Sequence, residues 1–395
     1  MRWFGRKAAR SGGRPFLFSG WRHMFAGEPW PRSYEAQVRE AYLANPVAQR
    51  AVRLVAESVA WAPLLCSPAK AGVQAGGRTG FLLSQEHRVE RAATLVTPAL
   101  LETVATQLLL HGNAFVQPLQ DGEAMPAELF ALRPERVTVA ADSSGWPIAY
   151  VYKVGEAKTR LPARDGLGRP GLVHLKAAHP LDDHYGLGCL GAAAAAVAVH
   201  NSAAKWNRAL LDNAARPSGA LVYEPGDRAG LSGEQYERLR GELEAQFSGA
   251  DNAGRPLLLE GGLRWQAMSL SPADMDFVGL KAAAAREIAL AFGVPPMLLG
   301  LPGDSTYANY REANRALWRL TVLPMAERIL AGISAALAAW WPGLRLAVDV
   351  DQISALAEDR ERLWRQVSGA DFLSDDEKRE MLGFQPARGP QKPAE

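Results

Sequence analysis

Gly186-Leu187-Gly188-Cys189-Leu190-Gly191 has the spacing most suggestive of a reactive-site motif in this chain. Glycines so spaced can open a helix whose first N–H groups cradle a dinucleotide pyrophosphate. That chemistry needs a buried strand directly before the glycines and an acid about 20 residues on, after a second strand. Here the preceding residues, His179-Pro180-Leu181-Asp182-Asp183-His184-Tyr185, read as a polar loop, and the first acid downstream is Asp212, in the same helical stretch. The competing reading is a glycine-rich helix start that lets two backbones approach closely. His179, Asp182, Asp183 and His184 are metal-ligating types, but Asp side chains in one loop also shape turns and cap helices. There is no GxSxG, Walker loop or HExxH. Nothing else would cradle phosphates, so an ATP-driven motor is disfavoured. His23, His87, His111, His174 and His200 are scattered, and His111 reads as a dipole partner at a helix C-terminus. Cys66 and Cys189 read as separate buried thiols rather than a zinc site or disulfide scaffold. These residues predict no catalytic centre, metal or cofactor.

The elements around them are more informative. Asn45-Pro46 and Thr97-Pro98 each pair a capping side chain with proline at the first helical position. The first helix repeats Ala48, Val52, Val55 and Val59 on one face and pairs Arg53 with Glu57; the second stops at Gly112. The period then changes to two, predicting strands over Ala114–Leu119, Val137–Ala140, Ile148–Val154 and Leu172–Lys176. Residues 34–185 thus read as one α+β domain. Two long Ala-rich helices follow, over 188–214 and, opened by Ser271-Pro272-Ala273-Asp274, over 272–292. Between them lies a small mixed module with strands Ala220–Glu224, Pro256–Leu259 and Leu263–Ser269 and a helix capped by Ser232-Gly233-Glu234-Gln235. Residues 294–306 are Pro- and Gly-rich and read as a loop; a helix then runs to about Trp341, and Pro324 should kink it. Helical stretches at 354–368 and 374–382 precede a Pro-rich end.

Runs such as Ala192–Ala196 and Ala282–Ala285 favour helix but bury little side chain, so such helices must pack very closely. They suit either a tight core hairpin or close contacts between identical neighbours around a ring. The 395 residues suffice for roughly two to three domains of about 150 each, and 48% hydrophobic residues rule out a wholly disordered chain. A net charge of +2 argues against a polybasic DNA clamp. No apolar run reaches the ~18 residues of a membrane span and no secretory signal opens the chain, so a soluble protein made inside the cell is expected. Residues 1–32 hold seven Arg or Lys (Arg2, Arg6, Lys7, Arg10, Arg14, Arg22 and Arg32) against Glu28. They read as a flexible basic arm or as one that orders on a partner.

Six stretches in order carry a family resemblance: NPVAQRAVRLVAESVAWAPL (45–64), LLLHGNAFVQPL (108–119), LRPERVTV (132–139), the run 179–223 around GLGCLGAAAAAVAVHNSAAKWNRALLDNAARP, AREIALAFGVPPMLLG (285–300) and STYANYREANRALWRLTVLPMAERI (305–329). The chain resembles bacteriophage portal proteins of the long-tailed phages, and most of all the portals of alphaproteobacterial gene transfer agents. The resemblance implies an α+β portal fold: an N-terminal basic arm (1–33), a wing (34–187), a stem helix (188–215), an inserted clip (216–270), a second stem helix (271–293), a tunnel loop (294–306), a return to the wing with a long kinked helix (307–350), and a crown with a frayed tail (351–395). The crown is short for the family. The resemblance further implies a non-enzymatic ring, usually of twelve copies, at one capsid vertex of a virion or phage-like particle. Double-stranded DNA is packaged and ejected through such a ring. The implied partners are the large terminase, a head–tail adaptor and the major capsid protein, with no membrane span.

For that role, channel-facing cations are expected at Lys281 and Arg286, with Lys205 and Arg208 as further candidates; inter-subunit ion pairs are the competing use. Acids Asp212, Asp274, Asp276 and Glu287 offset them, as suits a conduit along which DNA must slide. The implied tunnel loop carries Pro295, Pro296, Leu299, Gly300, Pro302, Gly303 and Asp304. Clip docking is expected to use Glu234, Arg238, Glu242 and Arg255. The rival readings are another head–tail adaptor and an α/β enzyme binding a nucleotide at Gly186–Gly191.

Overall fold

The computed structural model describes residues 33–68, 91–121, 125–212, 219–223, 232–235, 237–238, 241, 263–267, 276–301 and 307–382. Helix α1 (Tyr34–Val38) runs into a π-helical turn, Arg39–Leu43, and α2 spans Pro46–Ala60. Asn45 caps α2 as its sequence predicts, its Oδ1 accepting from the Val47 and Ala48 amides at 3.1 and 3.0 Å. Thr97 caps α3 (Pro98–Leu110) in the same manner. Arg53 and Glu57 pair across one turn of α2 at 2.6 Å.

Strand β1 (Leu64–Pro68) pairs antiparallel with the distant β10 (Leu344–Val348). Strand β2 (Asn113–Gln120) is central between β3 (Pro126–Leu132) and β7 (Val173–Lys176), and a second sheet orders β4 (Val137–Ala141), β5 (Pro147–Val154) and β6 (Ala157–Pro162). Sequence patterning missed β1, β3, β6 and β10. Pro68 ends β1, β6 is an exposed polar edge, and β3 (PAELFAL) is not a clean alternation.

The long helices α4 (Leu190–Asp212) and α5 (Phe277–Ala291) pack against each other. Strands β8 (Gly219–Tyr223) and β9 (Leu263–Ala267) pair antiparallel between them in sequence. Pro256–Leu259 lies outside the described residues. The described cap of α5 is Asp276, whose side chain accepts from the Gly279 amide; the expected start at Ser271–Asp274 lies outside the described residues.

Helix α6 (Tyr307–Leu317) continues through a second π-helical turn, Trp318–Val322, into α7 (Leu323–Leu337). Pro324 lacks the N–H that an α-helix would use, and a widened turn just before it, with the Leu323 amide bonded to Trp318 O, takes up the mismatch. The expected kink is therefore realised as a π turn inside a continuous 31-residue helical span, Tyr307–Leu337. That span corrects one expectation: an 18-residue window of it, mean hydropathy 1.4, is long and apolar enough to cross a membrane on length and composition. Its apolar face is spent on the core instead, where Ile329, Leu330, Ile333 and Leu337 are at most 1% exposed. Helices α8 (Ala357–Ser368) and α9 (Asp375–Met381) close the described chain. Arg315 on α6 bridges Glu312 and Glu358, tying α8 to the long helix.

One large core joins α2, α3, α7, β2, β7, β10 and the buried faces of α4 and α5. A smaller one lies between the two three-stranded sheets, built from Phe115, Leu132, Val137, Tyr150 and Leu172.

Candidate functional site: paired helices and their anchorage

Helices α4 and α5 carry the residues expected to meet a polymer, and two buried polar junctions fix α4 to the rest of the fold. The first lies at its start. The Asn113 side chain, 1% exposed, accepts from the Gly186 amide at 2.7 Å and donates back to Gly186 O at 3.2 Å. His174 Nε2 donates to the same Asn113 oxygen, and Asn113 Nδ2 donates to His111 Nδ1, a bond that requires the His111 ring to be neutral. Burial pushes each of these histidines down to about 4, with Lys176 adding to the effect at His174. His111 is thus a neutral acceptor packed edge-on against Tyr34, and the dipole-partner reading of it is corrected.

Gly112, Gly186 and Gly188 meet backbone to backbone at this junction. A Cβ on Gly186 would stand 2.1 Å from Gly112 O, and one on Gly188 would stand 2.3 Å from Leu110 O. Ala177 and Cys189 amides donate to Gly112 O and Leu109 O, both at 2.8 Å. The glycine-rich start is therefore a close backbone approach, and protein already fills the space a pyrophosphate would need at Gly186 and Gly188. The nucleotide reading is corrected on that ground. Gly191, by contrast, faces open space. In the preceding loop, Asp182 Oδ1 accepts from the His184 and Tyr185 amides at 2.7 and 2.9 Å, and His179 Nδ1 accepts from the Leu181 amide. Desolvation of Asp182 is outweighed by those two amides, which hold its carboxyl below the usual range. These side chains shape the loop, and among the described residues no group of three His, Cys, Asp or Glu could hold a metal.

The second junction lies half-way along α4. His200 and Asn201, both buried, reach the cap of α2: Asn45 Nδ2 donates to Asn201 Oδ1 at 2.9 Å and lies 3.2 Å from His200 Nδ1. Asn201 Nδ2 in turn donates to the carbonyl and carboxylate of Glu40 at 3.0 and 2.9 Å. Burial, then the charge of Lys281 on α5, holds His200 below its usual pKa. Sequence reading missed both junctions. The signal available was a polar His-Asn pair inside an otherwise alanine-rich helix.

The expected channel cations do not share one face. Lys205, Arg208 and Arg286 are exposed, whereas Lys281 is half-buried and faces His200 across the helix pair. Five residues of helix rotate Arg286 well away from Lys281. Val278 and Leu290 of α5 and Leu320 of the π turn are 84%, 78% and 77% exposed, large apolar side chains left uncovered by the single chain. In the expected tunnel loop, Pro296–Leu299 forms a 3₁₀ turn preceded by Pro295, with Leu298 and Leu299 packed on the core, so this half is not a free loop. Gly300 follows in a left-handed conformation (φ +71°), and Pro302, Gly303 and Asp304 lie outside the described residues. Glu234 and Arg238 are exposed on a helical stretch whose Ser232 and Gln235 form the predicted reciprocal cap. Glu242 and Arg255 lie outside the described residues.

The family model described as phage portal protein matches residues 46–383. The chain belongs to the phage portal protein family. An uncharacterized protein of Rickettsia bellii is 39% identical over 353 residues, covering 87% of this chain and 88% of that protein. A probable portal protein of Streptomyces phage phiC31 is 29% identical over 245 residues, 60% of this chain and 51% of the phage protein. Among solved structures, the neck of a native gene transfer agent particle, computed with C12 symmetry, contains a chain 45% identical, with a TM-score of 0.64 and coverage of 90% of this chain and 94% of that one. The HK97-family portal protein of Corynebacterium diphtheriae shares the fold at 18% identity, with a TM-score of 0.52 over 81% of this chain and 97% of that one. The portal family is structural, and this portal protein is a head–tail connector.

Proposed function

We propose that twelve copies of this portal protein form a ring at the head–tail vertex of a phage-like particle, with α4 and α5 lining an axial conduit for double-stranded DNA. The observation that carries this reading is the pairing of two alanine-rich helices, fastened to the wing at Asn113 and Asn45, in a chain similar to one from a neck of C12 symmetry. Small side chains let helices of neighbouring copies approach closely, and the exposed Val278, Leu290 and Leu320 supply apolar surface for a neighbour to cover. The module 216–270 is the clip, where the large terminase docks during packaging and a head–tail adaptor afterwards, with Glu234 and Arg238 presented outward. The wing meets the major capsid protein. Residues 300–306 are the part of the tunnel loop that meets the moving duplex. The ring performs no chemistry of its own; the terminase hydrolyses ATP.

Near-neutral charge suits a conduit, because a strongly basic wall would hold the polyanion. Arg286 and Lys205 are two of the three exposed cations that twelvefold repetition turns into rings of charge. Replacing both by glutamate should slow DNA loading or lower DNA retention in assembled particles while leaving ring mass unchanged. Wild-type loading and retention in that variant would remove these residues from the channel wall.

A further inference from the structure

We propose that the outer face of the β4–β5–β6 sheet is a second contact surface for the phosphate backbone of duplex nucleic acid, separate from the axial conduit. Gly155 (φ +58°) and Glu156 form the two-residue turn between β5 and β6. The register this turn sets pairs Lys153 with Lys158, Val151 with Arg160 and Ala149 with Pro162. Cross-strand partners share a face, as do residues two apart. Lys153, Lys158 and Arg160 therefore stand together on one face. Thr138 and Ala140 of β4, paired with Val151 and Ala149, extend that face. The opposite face holds Tyr150, Tyr152, Leu161, Val137 and Val139, which build the smaller core, so the cationic face is the outer one.

All three cations are exposed, and none has an ion pair among the described residues. No acidic residue occupies the face; Glu156 lies in the turn. Lysine directly opposite lysine weakens a hairpin, and an acid at either position would strengthen it. A densely anionic partner converts this repulsion into attraction. The rest of the face decides what kind of partner. Protein-docking surfaces are depleted in lysine and centre on aromatic or apolar anchors seated in pockets. Around its charges this face offers exposed Thr138 and Pro162, half-buried Ala140 and Val151, and Ala149, which is 1% exposed. Phosphate backbones are gripped by Lys and Arg without any such anchor, and without reading sequence. A nucleic-acid backbone fits on both counts.

The surface lies on the wing sheet and needs neither the ring nor the conduit, so it stands or falls independently of the proposed function. Fluorescence anisotropy of a labelled mixed-sequence duplex with the full-length chain, over a salt series, tests it. The K153Q/K158Q/R160Q variant should bind more weakly, and its plot of log affinity against log salt should be shallower by about 2.7, at about 0.9 for each phosphate no longer neutralised. Neutralising Lys205 and Arg286 instead should leave that contribution in place. The single K158E variant should melt at a higher temperature while binding the duplex less well, a combination that a purely structural role would not produce. An unchanged salt slope in the triple variant overturns the proposal. So does loss of binding to poly-L-glutamate with duplex binding intact, which would make the face a dock for acidic protein.

Discussion

Alanine at Gly186 is expected to destabilise the native fold severely. The added Cβ would meet Gly112 O at 2.1 Å, Ala177 N at 2.6 Å and Ala177 O at 2.8 Å, all of them backbone atoms. None can retreat as a side chain would. Moving residue 186 instead breaks its 2.7 Å bond to Asn113, and Asn113 also orients His174 and His111. Overpacking costs about 1–3 kcal/mol, and each buried polar group left unsatisfied costs about another 1–3 kcal/mol. Against a total stability of about 5–15 kcal/mol, a combined loss near 4 kcal/mol or more is severe. Gly191 provides the control, five residues on, where a Cβ meets nothing within 4 Å. There, in the first turn of a helix, alanine should be neutral or stabilise by up to about 1 kcal/mol. Denaturation midpoints of the two variants check the contrast; equal midpoints would show that the glycines are not in close approach.

Acid should loosen the same junction. His111 and His174 titrate at about 4 in the folded chain, below the ordinary histidine value of 6.5. Between those values the unfolded chain binds protons that the native one refuses, so stability rises with pH across this window. It is fully present above pH 6.5 and is lost as pH falls towards 4. At about 1.4 kcal/mol per pKa unit, each histidine alone would contribute about 3 kcal/mol. The pair should give less than twice that, because both lean on Asn113. Denaturant midpoints measured from pH 7 down to 4 should fall steeply, and His174→Asn should flatten the curve at some cost in stability at neutral pH. A wild-type curve level across this range would mean that the rings are not held neutral.

Much of the framework could be read from local chemistry. Asn45-Pro46 and Thr97-Pro98 carry their helix starts within two residues, and Ala114–Leu119 and Ile148–Val154 show their strand period directly. Two of the strands that escaped, β1 and β10, depend on a distant partner: Leu64 finds Val348, and nothing local tells LLCSP that it will be paired. The GxGxxG spacing announced close packing at a helix start, but its partner Gly112 lies across the fold. The cations show the same limit. Lys281 and Arg286 looked equivalent on one helix, and only the burial of His200 and its neighbourhood sets Lys281 apart. The opposed Lys153 and Lys158 were equally out of reach, because their confrontation depends on the register of β5 and β6.

If paired alanine-rich helices bring identical copies together around an axis, the purified full-length chain should show it by native mass spectrometry. A ring of twelve weighs about 510 kDa, twelve times the 42.7 kDa chain, and the spectrum should be dominated by that closed species. A sample that remains at 42.7 kDa as its concentration is raised would refute the ring.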